Sequence, residues 1–527
     1  MEARSLHWRS SLSNSYAKTI MVMGTSSSAG KSLLTAALCR CFSNRGVRVA
    51  PFKAQNMSNN AAVCGDGSEI GRSQAMQAIA ARTSPLSEMN PILLKPEGNT
   101  HSQVLVDGRP IAQTKSSMTA RDYFSRKREL WPHVTQALDR LREQFDLVVI
   151  EGAGSPAELN LMDVEIVNMS VARYARSPVL LVGDIERGGI FAQLLGTLWL
   201  LPESDRQLIR GLIVNKFRGD VSLFDRGNAI LEEKGGVPVL GVLPWIDQLR
   251  IPEEDAVALW ERRQSDAEHP PTENIDIAIL HLPHIANFDD FDPLESSEGV
   301  TVRYVQHSEQ IGAPDVLIIP GTKNTIADLD WMKRSGLAQA VIGLAKSKKV
   351  QIVGICGGYQ ILGRSIHNPD SLESQELHVE GLGLLDVETI FRPNKQTCQV
   401  EAILLNDSIA AHCTGTRISG YEIHIGETKT NSPWLKRTST QGYTHSRMEL
   451  DGAVSSDGKV WGCYIHGLFA NECFRVNWLS EHLSRSRTDG SAFKKSDPLD
   501  NSLNLLAQHF EQHIDFGHIE EIVWNSP

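Results

Sequence analysis

Short aliphatic runs alternate with longer amphipathic stretches in two separate sets along this 527-residue chain. The first set comprises TIMVMGT, VRVAPFKA, DLVVIEGAG, PVLLVGDI, GLIVNKF and VPVLGVLPW, and the second comprises IDIAILHLP, DVLIIPGTKNT and VQIVGICGGYQ. Most of these runs end in glycine or polar residues. They are typical of parallel strands that are buried on both faces and carry functional loops at their C-terminal ends. The pattern therefore predicts two α/β domains.

The stretch between the two sets, RRQSDAEHPPTEN (262–274), is polar, contains a Pro-Pro pair and indicates a linker. We therefore place the first domain at 19–261 and the second at 275–484. Residues 1–18 form a polar N-terminal extension that lacks the apolar core of a signal peptide. Residues 485–527 form a tail in which LNLLAQHFEQHI predicts an amphipathic helix.

Net charge, cysteine spacing and the length of apolar runs limit the partners and the compartment that we expect for the chain. The formal net charge of −11 argues against a nucleic-acid-binding surface, although a local loop can still bind an anionic small molecule. The eight cysteines are scattered and form no CxxC pair, so a zinc knuckle or a disulfide framework is not indicated, and a reducing cytoplasm is the simplest compartment. No apolar run is long enough to span a bilayer. We expect no nucleic-acid or membrane partner, and the oligomeric state stays open, with a homodimer as one option.

A phosphate-binding loop is predicted in MGTSSSAGKSLLTAALCRCF, directly after the first strand. Gly24, Thr25 and Gly30 belong to a loop whose amides can surround phosphate oxygens, while Lys31 supplies a charge and Ser32 a hydroxyl for magnesium. Five residues separate the two glycines, against four in the standard Walker A motif. This longer form resembles the loop of dethiobiotin synthetase. The alternative, a glycine-rich turn without nucleotide, is disfavoured because strand, loop, GKS and helix occur together. We expect ATP as the nucleotide.

Three residues are candidates for holding Mg²⁺: Ser32, Asp66 and Glu151. Glu151 ends the strand LVVIE, where a carboxylate could face the phosphate loop and hold the ion directly or through water. A strand-end carboxylate bonded to neighbouring amides is the alternative. Asn215 ends another strand and is a weaker candidate for reading adenine edges, with a capping role nearly as well supported.

The segment 51–78 is unusually rich in amide and hydroxyl side chains between a strand and a helix. It contains Lys53, Gln55, Asn56 and Ser58, and Asn90 follows in MNPILLKPEGNT. Polar amides are poor core formers, so we interpret these residues as contacts for a large substrate that carries many amides and carboxylates. A long solvated loop is the alternative.

The segment GICGGYQ places a cysteine between an apolar run and two glycines. A strand that ends at Cys356, a tight turn at Gly357 and a following helix would form a nucleophile elbow, whose helix dipole favours the thiolate. A nucleophilic cysteine needs a base, and His466 follows the apolar run KVWGCYI. The Gly321 loop amide, with that of Gly357, is expected to face an oxyanion. A lone cysteine or histidine is more often structural, but the pair predicts catalysis.

These residues resemble a class I, triad-type glutamine amidotransferase domain, which has a flavodoxin-like fold. In that family the cysteine attacks the side-chain amide of glutamine, forms a thioester and releases ammonia. The resemblance implies that Cys356 is the nucleophile and that His466 is the base. It also implies that Gln360, the glutamine of the elbow motif, joins Gly321 and Gly357 in the oxyanion and glutamine-binding site.

The third member of the triad is a departure from that family. A glutamate usually follows the histidine by two residues, and this chain has Leu468 there. The segment GYEIHIGET offers Glu422 and Glu427 as replacements. A missing third member would lower activity without removing the mechanism, because cysteine is already a good nucleophile.

Motifs along nearly the whole chain resemble the cobyric acid synthase family: PFKAQNMSNN, EIGRSQAMQA, MNPILLKPEGN, EGAGSPAELNL, GDIERGGIFA, NKFRGD and PGTKNT. The missing glutamate is itself characteristic of cobalamin-pathway amidotransferases. The resemblance implies ATP- and glutamine-dependent amidation of the b, d, e and g carboxylates of a corrinoid, adenosylcobyrinic acid a,c-diamide. The alternatives are cobyrinic acid a,c-diamide synthase, a peptidoglycan-precursor amidotransferase and, from another class, a nucleotide-dependent switch ATPase.

Overall fold

The computed structural model describes residues 16–97, 101–111, 117–246, 249, 251, 274–441, 444–482 and 498–526. The predicted linker, apart from residue 274, and most of the predicted N-terminal extension lie outside the described residues. The 3₁₀ helices at Ser87–Met89, Leu159–Val164, Val221–Phe224, Phe288–Phe291 and Leu468–Ala470 are left unnumbered below.

The first domain alternates strands and helices in the order that the aliphatic runs predict. Its elements are β1 (Lys18–Gly24), α1 (Lys31–Asn44), β2 (Val49–Phe52), β3 (Gln55–Met57), β4 (Ala61–Val63), β5 (Glu69–Gly71), α2 (Arg72–Ala80), β6 (Ile92–Pro96), β7 (His101–Val106), β8 (Arg109–Pro110), β9 (Ser117–Thr119), α3 (Ala120–Gln144), β10 (Leu147–Glu151), α4 (Met169–Ala175), β11 (Val179–Asp184), α5 (Ile190–Leu200), α6 (Glu203–Arg206), β12 (Ile209–Phe217), α7 (Asp225–Gly235) and β13 (Val239–Pro244).

Six of these strands form one parallel sheet in the order β13-β12-β11-β1-β10-β2. Its central strands are aliphatic and fully buried because helices cover both faces, which is the reason that they appear as continuous apolar runs. The phosphate loop and Glu151 follow the neighbouring strands β1 and β10, so both lie at the C-terminal edge of the sheet. The predicted α/β class is confirmed for this domain.

The second domain begins with β14 and is followed by two terminal helices. Its elements are β14 (Ile275–Leu280), α8 (Asp292–Glu295), β15 (Val300–Val305), α9 (Ser308–Ile311), β16 (Val316–Ile319), α10 (Thr325–Arg334), α11 (Leu337–Ser347), β17 (Gln351–Ile355), α12 (Gly357–Leu362), β18 (Ser365–His367), β19 (His378–Glu380), β20 (Val387–Leu404), β21 (Arg417–Thr430), β22 (Leu435–Gln441), β23 (Thr444–Asp451), β24 (Ala453–Val454), β25 (Val460–Cys463) and α13 (Glu472–Ser480); the terminal helices are α14 (Pro498–His513) and α15 (Phe516–Asn525).

The main sheet of the second domain has the strand order β15-β14-β16-β17-β25-β24 and is parallel except for β24. Between α12 and β24 the chain inserts a second, mostly antiparallel sheet built around the long strands β20 and β21. The two sheets share one apolar core. The α/β class is therefore confirmed for this domain as well.

The terminal helices return to the first domain. Apolar residues of α14 and α15 pack in the same core as Phe42 of α1, and the rings of Phe42 and Phe516 lie 5.0 Å apart. The Asp515 side chain accepts a hydrogen bond from the His518 amide and caps α15, which makes a second helix after the predicted one. Among the described helices, none combines the length and the apolar character that crossing a membrane requires.

Candidate active site

The structure places a sharp elbow at Cys356, between β17 and α12. Its backbone has φ 52° and ψ −109°, a strained left-handed conformation. Glycines follow because the adjacent strand leaves no room for side chains: a Cβ on Gly358 would lie 1.9 Å from the Ile319 carbonyl oxygen. The elbow therefore depends on local sequence, and it positions Cys356 at the C-terminal edge of the main sheet.

His466 and the two glycines predicted for the oxyanion site converge on Cys356. β17 and β25 are parallel neighbours, so the residues that follow them lie at the same edge. A Cβ on Gly321 would lie 3.0 Å from His466 Cε1 and 3.8 Å from Cys356 Cβ. A Cβ on Gly357 would lie 3.2 Å from the Thr322 amide nitrogen, in the same loop as Gly321. The four residues thus form one compact site.

Asp290 orients the imidazole of His466. His466 Nδ1 lies 2.6 Å from Asp290 Oδ2, and the Gly467 amide donates to Asp290 Oδ1 at 2.7 Å. The carboxylate accepts the Nδ1–H and leaves Nε2 as the basic nitrogen. Burial alone would lower the pKa of His466, but the buried Asp290 and the nearby Cys356 outweigh burial and raise this pKa well above its ordinary value.

Neither of the two glutamates expected to complete the triad forms a hydrogen bond with the imidazole, although Tyr421 and Ile423, which flank Glu422, contact His466 and Cys356. The buried Glu422 carboxylate accepts a hydrogen bond from Arg437 at 2.9 Å. Glu427 is exposed and pairs with an arginine of β20 at 3.3 Å. Each carboxylate already has a cationic partner on its own sheet. The position that we expected Glu422 or Glu427 to fill is occupied by Asp290, which follows β14.

Leu468 and Gln360 are both buried and contact other side chains of the protein interior. Leu468 is 1% exposed and belongs to the apolar core, so a carboxylate at this position would be buried among hydrocarbon. The Gln360 side chain accepts a hydrogen bond from Thr325 at 2.9 Å and donates to Tyr464 at 3.1 Å. Both ends of the amide are therefore engaged within the protein. Gln360 braces the elbow in this structure, in place of the expected contact with glutamine.

The phosphate loop joins β1 to α1 as predicted from its spacing. Gly30 precedes α1 with φ 98°, and a Cβ there would lie 2.1 Å from Asn215 Nδ2. Asn215 donates to the Ala29 carbonyl at 2.9 Å, which ties this strand end to the phosphate loop, and its role in reading adenine stays a prediction. Lys31 Nζ donates to two carbonyls within the loop at 2.7 and 3.1 Å.

The other predicted loop residues leave space for the ammonium group and tie the loop to its surroundings. A Cβ on Gly24 would lie 3.0 Å from Lys31 Nζ, so glycine is required beside the cation. The Thr25 hydroxyl donates to Gln193 Oε1 at 3.1 Å. Gly24, Thr25, Gly30, Lys31 and Ser32 therefore lie together around one turn.

Glu151 connects the phosphate loop with the polar segment that follows β2. The Ser32 hydroxyl donates to Glu151 Oε1 at 2.8 Å, Lys53 Nζ lies 2.9 Å from the same oxygen, and Gln77 donates to Oε2 at 2.6 Å. Burial opposes ionisation, but Lys53 and these hydrogen bonds hold the pKa of Glu151 below its ordinary value. The result is a buried anionic carboxylate beside the loop hydroxyl.

Two of the three magnesium candidates lie together. Ser32 and Glu151 supply hydroxyl and carboxylate oxygens, the ligand types that suit Mg²⁺ when nucleotide phosphates and water complete its coordination. Asp66 contacts neither of them, because it lies in the β4–β5 turn and accepts a hydrogen bond from the Ser68 amide at 3.0 Å. No cluster of three or more His, Cys, Asp or Glu side chains suited to a metal occurs in the parts of the chain that the structure describes.

Most of the proposed corrinoid contacts bond within the protein. Asn90 accepts a hydrogen bond from one backbone amide and donates to two carbonyls, at 2.9 to 3.1 Å. Asn56 donates to Gln74 at 2.8 Å. Ser58 accepts from a backbone amide at 3.0 Å, and the partly exposed Gln55 accepts from a tyrosine hydroxyl. Together with Lys53, which faces Glu151, these side chains brace the segment more than they form an open surface.

Comparison with known proteins assigns each of the two domains to a family. The CobQ/CobB/MinD/ParA nucleotide binding domain family matches residues 20–257, and the CobB/CobQ-like glutamine amidotransferase domain family matches residues 276–474. The cobyric acid synthase of Roseiflexus castenholzii is 52% identical over 497 residues, which cover 94% of this chain and 96% of that protein. The chain belongs to the cobyric acid synthase family.

Other members of the cobyric acid synthase family also match nearly the whole length of this chain. The Chloroflexus aurantiacus protein is 50% identical over 94% of this chain and 96% of its own length, and the Sorangium cellulosum protein is 47% identical over 96% and 99%. Among solved structures, PurLQS from Thermotoga maritima aligns with a TM-score of 0.28 and 16% identity, over 44% of this chain and 98% of that chain. Membership of the cobyric acid synthase family, and not this weak structural likeness, identifies the chain as an enzyme with a nucleotide-binding domain and a glutamine amidotransferase domain.

Sequence reasoning missed three residues of this cobyric acid synthase family member: Asp290, Asn287 and Arg72. Asp290 lies in the segment ANFDDFD, which follows β14 at the same sheet edge as Cys356. An acidic pair in the segment between a buried parallel strand and the next helix was the available signal, because such segments meet at one edge of the sheet. The sequence assigns no role to Asn287 or Arg72, because each contacts the other domain: Asn287 accepts a hydrogen bond from the Ala61 amide, and Arg72 pairs with Asp289.

Proposed function

We propose that this chain amidates the b, d, e and g carboxylates of adenosylcobyrinic acid a,c-diamide to adenosylcobyric acid, with glutamine as nitrogen donor and one ATP consumed per amide. Membership of the cobyric acid synthase family over nearly the whole chain supports the substrate. The observation that carries the proposal is that one chain holds both a Cys356–His466–Asp290 site and a phosphate loop beside Glu151.

The second domain would release ammonia from glutamine. Cys356 gives its thiol proton to His466 Nε2, and the thiolate attacks the side-chain carbonyl carbon of glutamine. The Gly321 and Gly357 amides would stabilise the developing oxyanion. Collapse of the adduct breaks the C–N bond, ammonia leaves with the proton held by His466, and water hydrolyses the thioester to glutamate. Asp290 stabilises the imidazolium during these steps.

The first domain would activate the acceptor carboxylate. A carboxylate does not accept ammonia directly, because oxide or hydroxide is a poor leaving group. One carboxylate oxygen attacks the γ-phosphorus of ATP and ADP leaves, after which ammonia displaces phosphate from the acyl phosphate. Lys31 is placed to neutralise charge on the transferring phosphoryl group. Bound Mg²⁺, held by Ser32 and Glu151, would supply further neutralisation of the phosphates.

Repeated amidation requires that the substrate be released or turned between rounds. We expect Gln55, which is partly exposed and follows Lys53 by two residues, to contact the corrinoid. We expect Gln55→Ala to raise the KM for the corrinoid and to leave glutamate release unchanged.

The cysteines support a reducing cytoplasm as the compartment in which the protein acts, since all eight are free thiols.

Mass spectrometry of the corrinoid tests the proposal. Adenosylcobyrinic acid a,c-diamide is incubated with the protein, ATP, Mg²⁺ and glutamine, and each amidation changes the mass by one fixed decrement. Four decrements with wild type, none with Cys356→Ala and glutamine, and four again with Cys356→Ala and ammonium are expected. Unchanged corrinoid mass despite ATP hydrolysis contradicts the proposal. Amidation of cobyrinic acid at two positions only would identify a,c-diamide synthesis instead.

A further inference from the structure

Asn287 of the second domain contacts the catalytic imidazole and is held by the first domain. Asn287 Nδ2 lies 3.2 Å from His466 Nε2, and Asn287 Oδ1 accepts a hydrogen bond from the Ala61 amide at 3.1 Å. Ala61 begins β4, and Asn287 is 5% exposed. Because the Ala61 N–H requires an acceptor, it fixes the amide orientation, and the NH₂ group of Asn287 faces His466.

This contact opposes the first proton transfer. An NH₂ donor at Nε2 fits a neutral imidazole whose Nε2 carries a lone pair. When His466 takes the Cys356 proton, the new Nε2–H would point at the Asn287 NH₂ group, donor against donor. Asp290, in contrast, favours the protonated ring. Asp290 therefore favours proton transfer to His466, whereas the NH₂ group of Asn287 opposes it.

Helix α2 connects this segment with the phosphate site. At its first residue, the Arg72 guanidinium pairs with Asp289 at 2.7 Å, and Asp289 is the chain neighbour of Asp290. Further along the same helix, Gln77 donates to Glu151 Oε2 at 2.6 Å. One nine-residue helix thus contacts both the phosphate-site carboxylate and the segment that carries Asn287.

The strand that holds Asn287 is tied to the same helix. The Arg72 amide donates to the Asn60 carbonyl at 3.2 Å, directly before Ala61. Lys53, which precedes this strand on the same segment, faces Glu151 at 2.9 Å. Glu151 is therefore connected to Ala61 through the segment that carries Lys53, and to Arg72 through helix α2.

We propose that the first domain restrains glutamine hydrolysis by holding Asn287 against His466, and that filling the phosphate site withdraws this restraint. Asn287 is accordingly a positioning residue that acts on the base and not on the substrate. The inference rests on the proposed function, since it concerns how the two half-reactions are matched. Glutamine would be hydrolysed rapidly only when an acceptor can be activated.

Glutamate release by the full-length protein tests the restraint. Rates are measured without nucleotide, with ATP and Mg²⁺, and with added corrinoid. Asn287→Gly removes the amide and suits the left-handed backbone at this position, where φ is 53°. We expect its kcat without nucleotide to rise about threefold to tenfold, the effect of one net hydrogen bond, with KM for glutamine unchanged and less stimulation by ATP.

A second variant places the change in the first domain. Ala61→Pro removes the N–H that orients Asn287 and leaves the second domain unaltered. We expect the same rise in unstimulated kcat. Lys323→Ala is the matched control, because it breaks a different interdomain contact, the 2.9 Å pair with Glu97, without touching the 287–290 segment.

The outcomes separate this inference from the proposed function. A raised unstimulated kcat in both variants, but not in Lys323→Ala, supports the restraint even if no corrinoid is amidated. An unchanged kcat in Asn287→Gly overturns it, as does a rise in Asn287→Gly without one in Ala61→Pro, or an equal rise in Lys323→Ala. Should Asn287→Gly not fold, Ala61→Pro alone decides between these results. Corrinoid mass, measured on wild type, reports separately on the proposed function.

Discussion

Asp290 Oδ2 and His466 Nδ1 lie 2.6 Å apart, although 176 residues separate them in the chain. The contact arises because the loop after β14 and the loop after β25 both lie at the C-terminal edge of one parallel sheet. A carboxylate from the segment after the first strand of the domain thereby takes the place that the sequence pattern assigns to a residue just after the histidine.

Asp290→Asn is expected to lower kcat for glutamine hydrolysis by roughly 10²- to 10⁴-fold, since an amide cannot hold the Nδ1–H tautomer or stabilise the imidazolium. Glutamate release measures the loss. Ammonium-supported amidation should persist, because the first domain is unaltered. Glu427→Gln is the control: if it reduced glutamate release as much as Asp290→Asn, the assignment of Asp290 would be wrong.

Leu468→Glu is expected to destabilise the protein and not to rescue Asp290→Ala. The new carboxylate would be buried in the apolar core, at a cost on the order of 3 kcal/mol or more. Thermal denaturation and glutamate release of the single and double variants measure both effects. Restored glutamate release in the double variant would mean that a carboxylate at 468 can reach the imidazole.

Lys31→Ala is expected to reduce ATP- and ammonium-dependent amidation by roughly 10²- to 10³-fold, because a preorganised cation at the transferring phosphoryl group is lost. Glutamate release in the absence of ATP should stay near the wild-type rate. Parallel assays of corrinoid mass and glutamate distinguish the two domains. Equal losses in both assays would contradict a role confined to the phosphate site.

Glu69 links the two domains through an ion pair whose strength depends on pH. Its buried carboxylate contacts Lys95 of the first domain and Lys395 of the second. Burial opposes ionisation, but the two ammonium groups lower the pKa of Glu69 from 4.5 to about 2. Since the folded pKa of Glu69 is the lower one, the carboxylate's contribution is present above pH 4.5 and is lost as the pH falls towards 2. Burial lowers the pKa of Lys395 to about 7, so the Lys395 half of the pair weakens as the pH rises through 7.

Glu69→Gln should therefore destabilise the protein by about 3–5 kcal/mol between the ordinary pKa of the glutamate, 4.5, and the lowered pKa of Lys395, about 7, because both amines are charged there and lose their carboxylate. Denaturation midpoints of variant and wild type should converge as the pH falls from 4.5 to 2. Asp330→Asn, which removes an exposed pair with Arg334, is the control and should cost less than about 1 kcal/mol. A difference independent of pH would contradict the ion-pair explanation.

The residues that sequence reasoning located are those whose signal is local. Cys356 sits between an aliphatic run and two glycines, and Lys31 lies in a loop of fixed spacing, so a short window predicts both. His466 could be added because strand ends of a parallel sheet meet at one edge. The same rule applied to the acidic pair after β14 would have indicated Asp290.

The remaining assignments depend on partners that only the fold brings together. Glu422 is a candidate in the sequence only as a carboxylate between Cys356 and His466, and pairing of β21 and β22 with β20 gives it Arg437 as a partner. The amides of 51–78 read as ligand contacts because the sequence does not reveal whether a donor faces a substrate or a backbone carbonyl. In the structure, Asn56 and Asn90 face their own chain.

The packing of α14 and α15 against α1 has a consequence for biosynthesis. On the ribosome, the apolar face of α1 that carries Phe42 emerges early, and its covering helices emerge after the entire second domain. The amidotransferase domain can therefore fold while the nucleotide domain still exposes an unfinished core. Until translation is complete, such a nascent chain exposes apolar surface that chaperones and other copies of the chain can bind.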